Sequence, residues 1–241
     1  MPTQRSITGS AMQPDAGSHE SLDQQLEVIA PELGLHLEPE PRRKLLAYLD
    51  LIQRWNRVYN LTALRDPAEM FSHHLLDCLA VVRPLERGLA GGATHPRILD
   101  VGSGAGLPGV ILALLKPDWR ITCVDAVAKK ASFIRQVVAE LELPNLTAMH
   151  GRVEAAQTFD GLRFDLITSR AFASLADFTR LTRHLLAPGG VWAAMKAHLS
   201  EEERAELPVD VVMFHVEQLQ VPKLDAARRL VWLRPSEPPR Q

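Results

Sequence analysis

The residues with the clearest chemical potential form one run, Asp100-Val101-Gly102-Ser103-Gly104-Ala105-Gly106-Leu107. Glycine has no Cβ, so three glycines at alternate positions permit positive φ and let a ligand lie against bare backbone. Ile98, Leu99 and Val101 read as the end of a buried parallel strand, and the apolar residues 110–115 as the helix that follows the turn. A second strand, residues 120–124, ends in Asp125. An acid about twenty residues past a glycine turn is placed to accept hydrogen bonds from both hydroxyls of a ribose.

Two nucleoside cofactors could use such a turn. A dinucleotide prefers G-x-G-x-x-G, with its pyrophosphate at the helix N-terminus. The spacing here is G-x-G-x-G with an acid before it, the form that suits S-adenosylmethionine, which has no phosphate to cradle. Asp100 then makes sense near the methionine end, against an amino group and a sulfonium. Glycines that merely allow tight strand–helix packing remain the alternative.

Later strand ends carry the other candidates. Gly151-Arg152-Val153-Glu154 follows the third strand, where Val153 and Glu154 fit an adenine clamp or, alternatively, an ordinary helix start with an acidic first turn. The fourth strand ends in Ser169-Arg170-Ala171-Phe172-Ala173-Ser174. Amino-directed methyltransferases place Asn/Asp-Pro-Pro-aromatic there, and this chain lacks it. Cytosine-C5 enzymes need a nucleophilic cysteine near a strand end, and neither Cys78 nor Cys123 is so placed. An arginine remains. It suits an acceptor that is already nucleophilic, such as purine N7, for which alignment rather than proton removal is required. Arg170 could donate to the guanine edge or a phosphate, hold the cofactor carboxylate, or form a structural ion pair.

These residues need a scaffold, and the chain supplies one. Residues 1–20 are rich in Ser, Thr, Gln, Gly and Pro and read as a disordered tail. Ser21 and Gln24 form a capping box for a first helix that stops at Gly34. A second helix spans about residues 39–58. A third starts at Asp66-Pro67-Ala68-Glu69 and ends near Pro84. Trp55, Tyr59 and Leu61 read as core, with RNA-stacking platforms the alternative. From residue 97 strands and helices alternate, with strands at 97–101, 120–125, 146–150, 164–169 and 190–196, and helices at 106–116, 128–141 and 175–186. Residues 209–221 and 229–233 suggest a closing antiparallel pair. The predicted fold is α/β: a Rossmann-like class I S-adenosylmethionine-dependent methyltransferase with a seven-stranded, mostly parallel sheet. An N-terminal helical extension at 21–90 precedes a catalytic domain at 91–241.

Composition narrows the setting. The 241 residues are 46% hydrophobic and 23% charged, ordinary for a soluble protein. The longest apolar run, residues 109–115, is far too short to span a bilayer, and no secretory signal is visible. Two cysteines, both expected to be reduced, fit a cytoplasmic location. No Cys/His cluster has zinc spacing, so no metal is expected. A net charge of −2 argues against coating nucleic acid through bulk charge, though not against a local basic rim.

Taken together the chain resembles the RsmG (GidB) family of small-subunit ribosomal RNA guanine-N7 methyltransferases, over about residues 22–234. The resemblance rests on Trp55-Asn56-Arg57-Val58-Tyr59-Asn60-Leu61-Thr62, His73-His74-Leu75-Leu76-Asp77, the run from Asp100 to Gly109, the Ser169 to Ser174 segment, and Val221-Pro222-Lys223-Leu224-Asp225. It implies S-adenosylmethionine as cofactor and, as substrate, a guanine in the decoding-region loop of 16S rRNA within the small ribosomal subunit. Carried across, Gly102 and Leu107 meet the cofactor, Val153 and Glu154 take the adenine position, and Arg170 the place after strand four. Arg152, Lys196 and Arg228, with Lys129, match basic residues near the active-site mouth. The family often has Arg-His where this chain has His73-His74 and where it has Arg228-Arg229, and a serine at Cys78. The expected protein is a monomer, binds no membrane and, with a net charge of −2, binds naked RNA weakly and needs a structured ribosomal particle. Its rivals are a methyltransferase of small molecules or proteins and a cofactor-binding assembly factor without turnover.

Overall fold

A computed structural model describes residues 16–155, 159–170, 172 and 174–236. Most of the expected N-terminal tail, residues 1–15, and two positions of the strand-four segment, Ala171 and Ala173, lie outside the described residues. Helix α1 spans Ala16–Ile29 and passes through a 310 turn to Gly34, whose φ of 69° closes it. The Ser21 capping box is therefore not formed. Helix begins five residues before that local signal, and Ser21 sits inside it, accepting a hydrogen bond from Gln25 Nε2 at 3.3 Å.

Helix α2, Pro39–Tyr59, buries Leu45, Tyr48, Leu49 and Ile52 at helical spacing and ends on Asn60 at φ 48°. Next comes α3, Pro67–Met70, capped as expected by Asp66, whose carboxylate accepts from the backbone of Ala68 and Glu69. A π-helical turn, Phe71–Leu76, and α4, Asp77–Leu79, continue it. The helix does not run on to Pro84. It breaks after Leu79, and Pro84 falls in the first turn of α5, Val82–Gly88, where a missing N–H costs nothing.

The sheet has strands β1 (Arg97–Val101), β2 (Arg120–Asp125), β3 (Leu146–His150), β4 (Phe164–Ser169), β5 (Leu186–Lys196), β6 (Val211–Leu219) and β7 (Arg228–Pro235). Their order is β3-β2-β1-β4-β5-β7-β6, parallel through β5, with β7 antiparallel to both its neighbours. The expected seven strands and closing antiparallel pair are present. Strand β5 starts four residues earlier than its sequence pattern indicates, because Leu186 already pairs with Phe164 before the chain bulges through Gly189 and Gly190. Helices α6 (Gly109–Leu115), α7 (Ala128–Glu140) and α8 (Leu175–Thr182) connect the strands. A short α9 (Glu201–Ala205), capped by Ser200, has no counterpart among the expected elements.

One sheet face packs on α6 and α7. There Leu26, Leu45, Ile52 and Leu75 of the N-terminal helices share a single core with Val110, Ile111, Ile134 and Val137. Each fully buried side chain of this size contributes about 1.5–3 kcal/mol. The opposite face packs Leu99, Val101 and Val124 with Phe164, Phe178 and Trp192. Of the three residues read as N-terminal core, Leu61 is buried, whereas Tyr59 is 45% exposed at the end of α2. Trp55 is half-buried and donates from Nε1 to Gln136 Oε1 at 2.9 Å. No helix among the described residues is long and apolar enough to cross a membrane.

Candidate active site

Because β1 leads to β2 on one side and lies against β4 on the other, the connections leave the sheet in opposite directions at this point. The carboxyl ends of β1 and β4 therefore open a crevice, the place where ligands bind in such sheets. Val101, Asp125, His150, Ser169 and Lys196 all end strands at this edge, and Lys196 pairs with Arg229, so the start of β7 lies there too.

The glycine loop separates into two kinds of glycine. A Cβ on Gly106 would lie 2.5 Å from Val110 Cγ2, and one on Gly109 would lie 2.3 Å from Cys123 Sγ and 2.9 Å from Asp100 Oδ2. Gly109 serves strand–helix packing, and Gly106 the close approach of the loop to α6 and α7. A Cβ on Gly102 would meet nothing within 4 Å, and one on Gly104 only Gly102 O at 4.0 Å. Packing does not require glycine there. The positive φ values of 64° and 59° do, and the space beside them is open. Main-chain bonds from Gly102 N and Ser103 N to Val124 O, at 2.9 and 3.2 Å, pin the loop to β2. Tyr48 of α2 donates its hydroxyl to Ala105 O at 2.5 Å, tying the helical extension to the same loop. Leu107 is buried beside it.

Asp125 lies at the end of β2, with Oδ2 accepting from Gly104 N at 2.9 Å and Oδ1 from Val127 N at 2.8 Å. Gly151 N donates to Asp125 O at 3.1 Å, which brings the Val153–Glu154 loop next to the acid. Val153 is buried and Glu154 exposed. Asp100 has no exposed surface at all. Its Oδ2 accepts from Gly109 N at 2.9 Å, and Oδ1 is the one fully buried side-chain oxygen or nitrogen without a partner among the described residues. Burial pushes its carboxyl up to about 7, against the smaller pull of Gly109 N–H and the Arg170 charge. Asp100 thus buttresses α6 from beneath the loop, and only Oδ1 is left for the methionine-end role expected of it. Open space at Gly102 and Gly104, an acid at the ribose position and an orphaned carboxylate oxygen fit S-adenosylmethionine.

The four expected cations do not form one group. Arg170 NH1 donates to His73 O at 3.0 Å and to His74 Nδ1 at 3.4 Å, and lies 3.7 Å from Asp77 Oδ2. Arg228 Nε donates to Asp77 Oδ1 at 2.9 Å. Asp77, a residue with no role assigned from sequence, is 3% exposed and bridges these two arginines. Lys196 is held instead by Glu203 of α9, with Nζ donating to Oε1 at 2.6 Å. Arg152 is exposed on the far side, three strands from β4, and pairs with Glu154 at 3.6 Å. Lys129 is exposed at the start of α7.

His74 completes the arginine site. Since Arg170 donates to Nδ1, the imidazole proton sits on Nε2 and is donated to Thr62 Oγ1 at 2.8 Å. Burial first, and then the Arg170 charge, bring its pKa down to about 4, so the ring is neutral. Thr62 N donates to Asn56 Oδ1 at 3.0 Å, so the Trp55–Thr62 motif holds the histidine.

A family model described as rRNA small subunit methyltransferase G (GidB) matches residues 42–231. The chain belongs to the rRNA small subunit methyltransferase G family. A member from Leptothrix cholodnii is 60% identical over 206 residues, covering 86% of this chain and 92% of that protein. One from Bordetella avium is 50% identical over 214 residues, 89% and 94% of the two chains. Membership makes this chain a methyltransferase with S-adenosylmethionine as methyl donor. Solved structures agree on the fold. A point variant of MtNAS in complex with S-adenosylmethionine aligns at TM-score 0.53 and 16% identity, over 92% of this chain and 80% of that one. TrmN from Thermus thermophilus aligns at 0.53 and 20%, over 66% and 49%.

Proposed function

We propose that this enzyme methylates N7 of a guanine in the decoding-region loop of 16S rRNA, acting as a cytoplasmic monomer on the assembled small subunit. The observation that carries the acceptor atom is chemical. Among the described residues, the β4 edge offers guanidinium groups, and the side chains bonded to Arg170 and Arg228 are already engaged. Asp77 is occupied by two arginines, and both nitrogens of His74 are engaged in hydrogen bonds. Cys78 and Cys123 are buried, and burial pushes both thiols up, so neither supplies a thiolate. Asp100 is fully buried beneath the loop. An acceptor that brings its own lone pair, as neutral guanine does at N7, suits such a site.

S-adenosylmethionine supplies a methyl group on a positively charged sulfur. Gly102 and Gly104 would seat it, with Gly106 and Leu107 shaping the loop, Asp125 accepting from the ribose hydroxyls, Val153 and Glu154 flanking the adenine, and Asp100 Oδ1 left as an acceptor for its charged end. Arg170, whose Nε and NH2 have no partner among the described residues, donates to the guanine edge or clamps the cofactor. Arg228 and Arg152 meet RNA phosphates, whereas Lys196 is held by Glu203. A net charge of −2 supports only weak attraction to bare RNA, so the folded particle supplies the remaining contacts.

The test is transfer of labelled methyl to unmethylated small subunits, naked 16S rRNA and a short loop oligonucleotide, followed by nucleoside analysis. The expected product is N7-methylguanosine, formed mainly on subunits. Label in another nucleoside overturns the acceptor, and equal rates on the oligonucleotide overturn the particle requirement.

A further inference from the structure

We propose that Asp77 is a positioning residue that holds Arg170 and Arg228 as one pre-set pair at the reaction edge, with the Thr62–His74 hydrogen bond fixing the Arg170 side. This rests on the reading of Arg170 and Arg228 as substrate-facing groups.

The two oxygens of Asp77 are divided between guanidiniums from different strands. Oδ1 accepts from Arg228 Nε at 2.9 Å, at the head of β7, and Oδ2 lies 3.7 Å from Arg170 NH1, just beyond β4. A buried ion pair is weak grounds for stability, because desolvation offsets the attraction. Its firmer consequence is orientation. The hydrogen bonds and ion pair of the Arg170 guanidinium among the described residues fall on NH1: His73 O, His74 Nδ1 and Asp77 Oδ2, all from about one turn of helix. A guanidinium anchored at a single nitrogen by two acceptors and a neighbouring carboxylate presents its remaining N–H groups in a fixed plane. The π-helical turn at Phe71–Leu76 aids this, since a widened turn frees a carbonyl to accept from outside the helix.

His74 contributes as a neutral spacer. Thr62 Oγ1 holds it by Nε2 on one side, while Nδ1 receives Arg170 on the other. A protonated ring would lose that acceptor and repel the guanidinium. The helical extension thereby fixes the arginine from behind, through Asn56, Thr62, His74 and Asp77. Such preorganisation acts on alignment, the only assistance a lone-pair acceptor requires.

The test compares wild type, Asp77→Asn, Asp77→Glu and Thr62→Val, with the first also made in an Arg170→Lys/Arg228→Lys background. Asp77→Asn is expected to lower kcat on unmethylated small subunits about a hundredfold while KM moves within about threefold. Asp77→Glu restores part of the loss, and in the double-lysine background the substitution costs almost nothing further. Thr62→Val, which leaves Asp77 and both arginines in place, lowers kcat by about tenfold without a matching fall in Tm, and this arm decides if Asp77→Asn does not fold. Arginine-selective 15N NMR gives a readout independent of turnover: restricted rotation of the Arg170 guanidinium in wild type, and averaged signals in Thr62→Val and Asp77→Asn. Additive losses, or unchanged guanidinium signals, overturn the proposal. If wild type methylates no subunit yet the NMR behaves as expected, positioning stands and it is the rRNA reading that fails.

Discussion

Asp100 sets a pH dependence of stability that can be worked from the structure. It has no exposed surface, one oxygen bonded to Gly109 N and the other to nothing. Burial raises its carboxyl from the 3.8 of an ordinary aspartate to about 7. An acid with a raised folded pKa binds its proton more tightly folded than unfolded. Its contribution to stability is therefore complete below about pH 4 and is lost as pH rises through about 7. Each pH unit between those limits is worth about 1.36 kcal/mol, so the whole span corresponds to about 4 kcal/mol. Urea unfolding of wild type and Asp100→Asn at pH 5 and pH 8.5, at fixed ionic strength, isolates this group, because every other titration cancels in the difference. By pH 5 the unfolded carboxyl is already ionised, so about two pH units of the span remain above it. Wild type should therefore lose about 3 kcal/mol relative to Asp100→Asn between the two pH values. A difference that stays constant within about 1 kcal/mol would refute the reasoning, since the carboxyl would then titrate alike folded and unfolded.

Three further outcomes follow from the glycine loop. Gly109→Ala forces a Cβ to 2.3 Å from Cys123 Sγ and should destabilise by about 1–3 kcal/mol in thermal or urea unfolding; Cys123→Ala should remove part of that cost, and strict additivity would contradict the packing account. Tyr48→Phe removes the hydroxyl that Ala105 O accepts, and should cost about 1–2 kcal/mol by urea unfolding, with weaker S-adenosylmethionine binding by calorimetry. Asp125→Asn should weaken cofactor binding by about tenfold in the same assay; an unchanged Kd would remove Asp125 from the ribose.

Much of the fold is legible in the chain because periodicity and turn chemistry are local. Alternating apolar segments mark the parallel strands, Asp66-Pro67 marks a helix start, and the glycines after β1 mark the loop. The reasons behind individual glycines are not local. Gly109 is indispensable because of Cys123 on the next strand, whereas Gly102 leaves open space, and no spacing rule separates them. Asp100 reads as a ligand group, yet depth beneath the loop makes it first a buttress for α6. The Ser21 cap does not form because the helix extends five residues upstream of that signal. Asp77 stands in a recognised motif with no role visible in sequence, since its partner Arg228 lies 151 positions away. Lys196 reads as a free cation only while the helix carrying Glu203 goes unanticipated, although Ser200 followed by three glutamates is a plain N-terminal signature.

The most direct measurement is borohydride/aniline cleavage of 16S rRNA taken from unmethylated small subunits after incubation with the enzyme and S-adenosylmethionine. One new cleavage, at a guanine in the decoding-region loop and absent with Arg170→Ala, is the predicted result. Methyl incorporation without cleavage, or cleavage that persists undiminished in Arg170→Ala, would contradict a site built to align guanine N7.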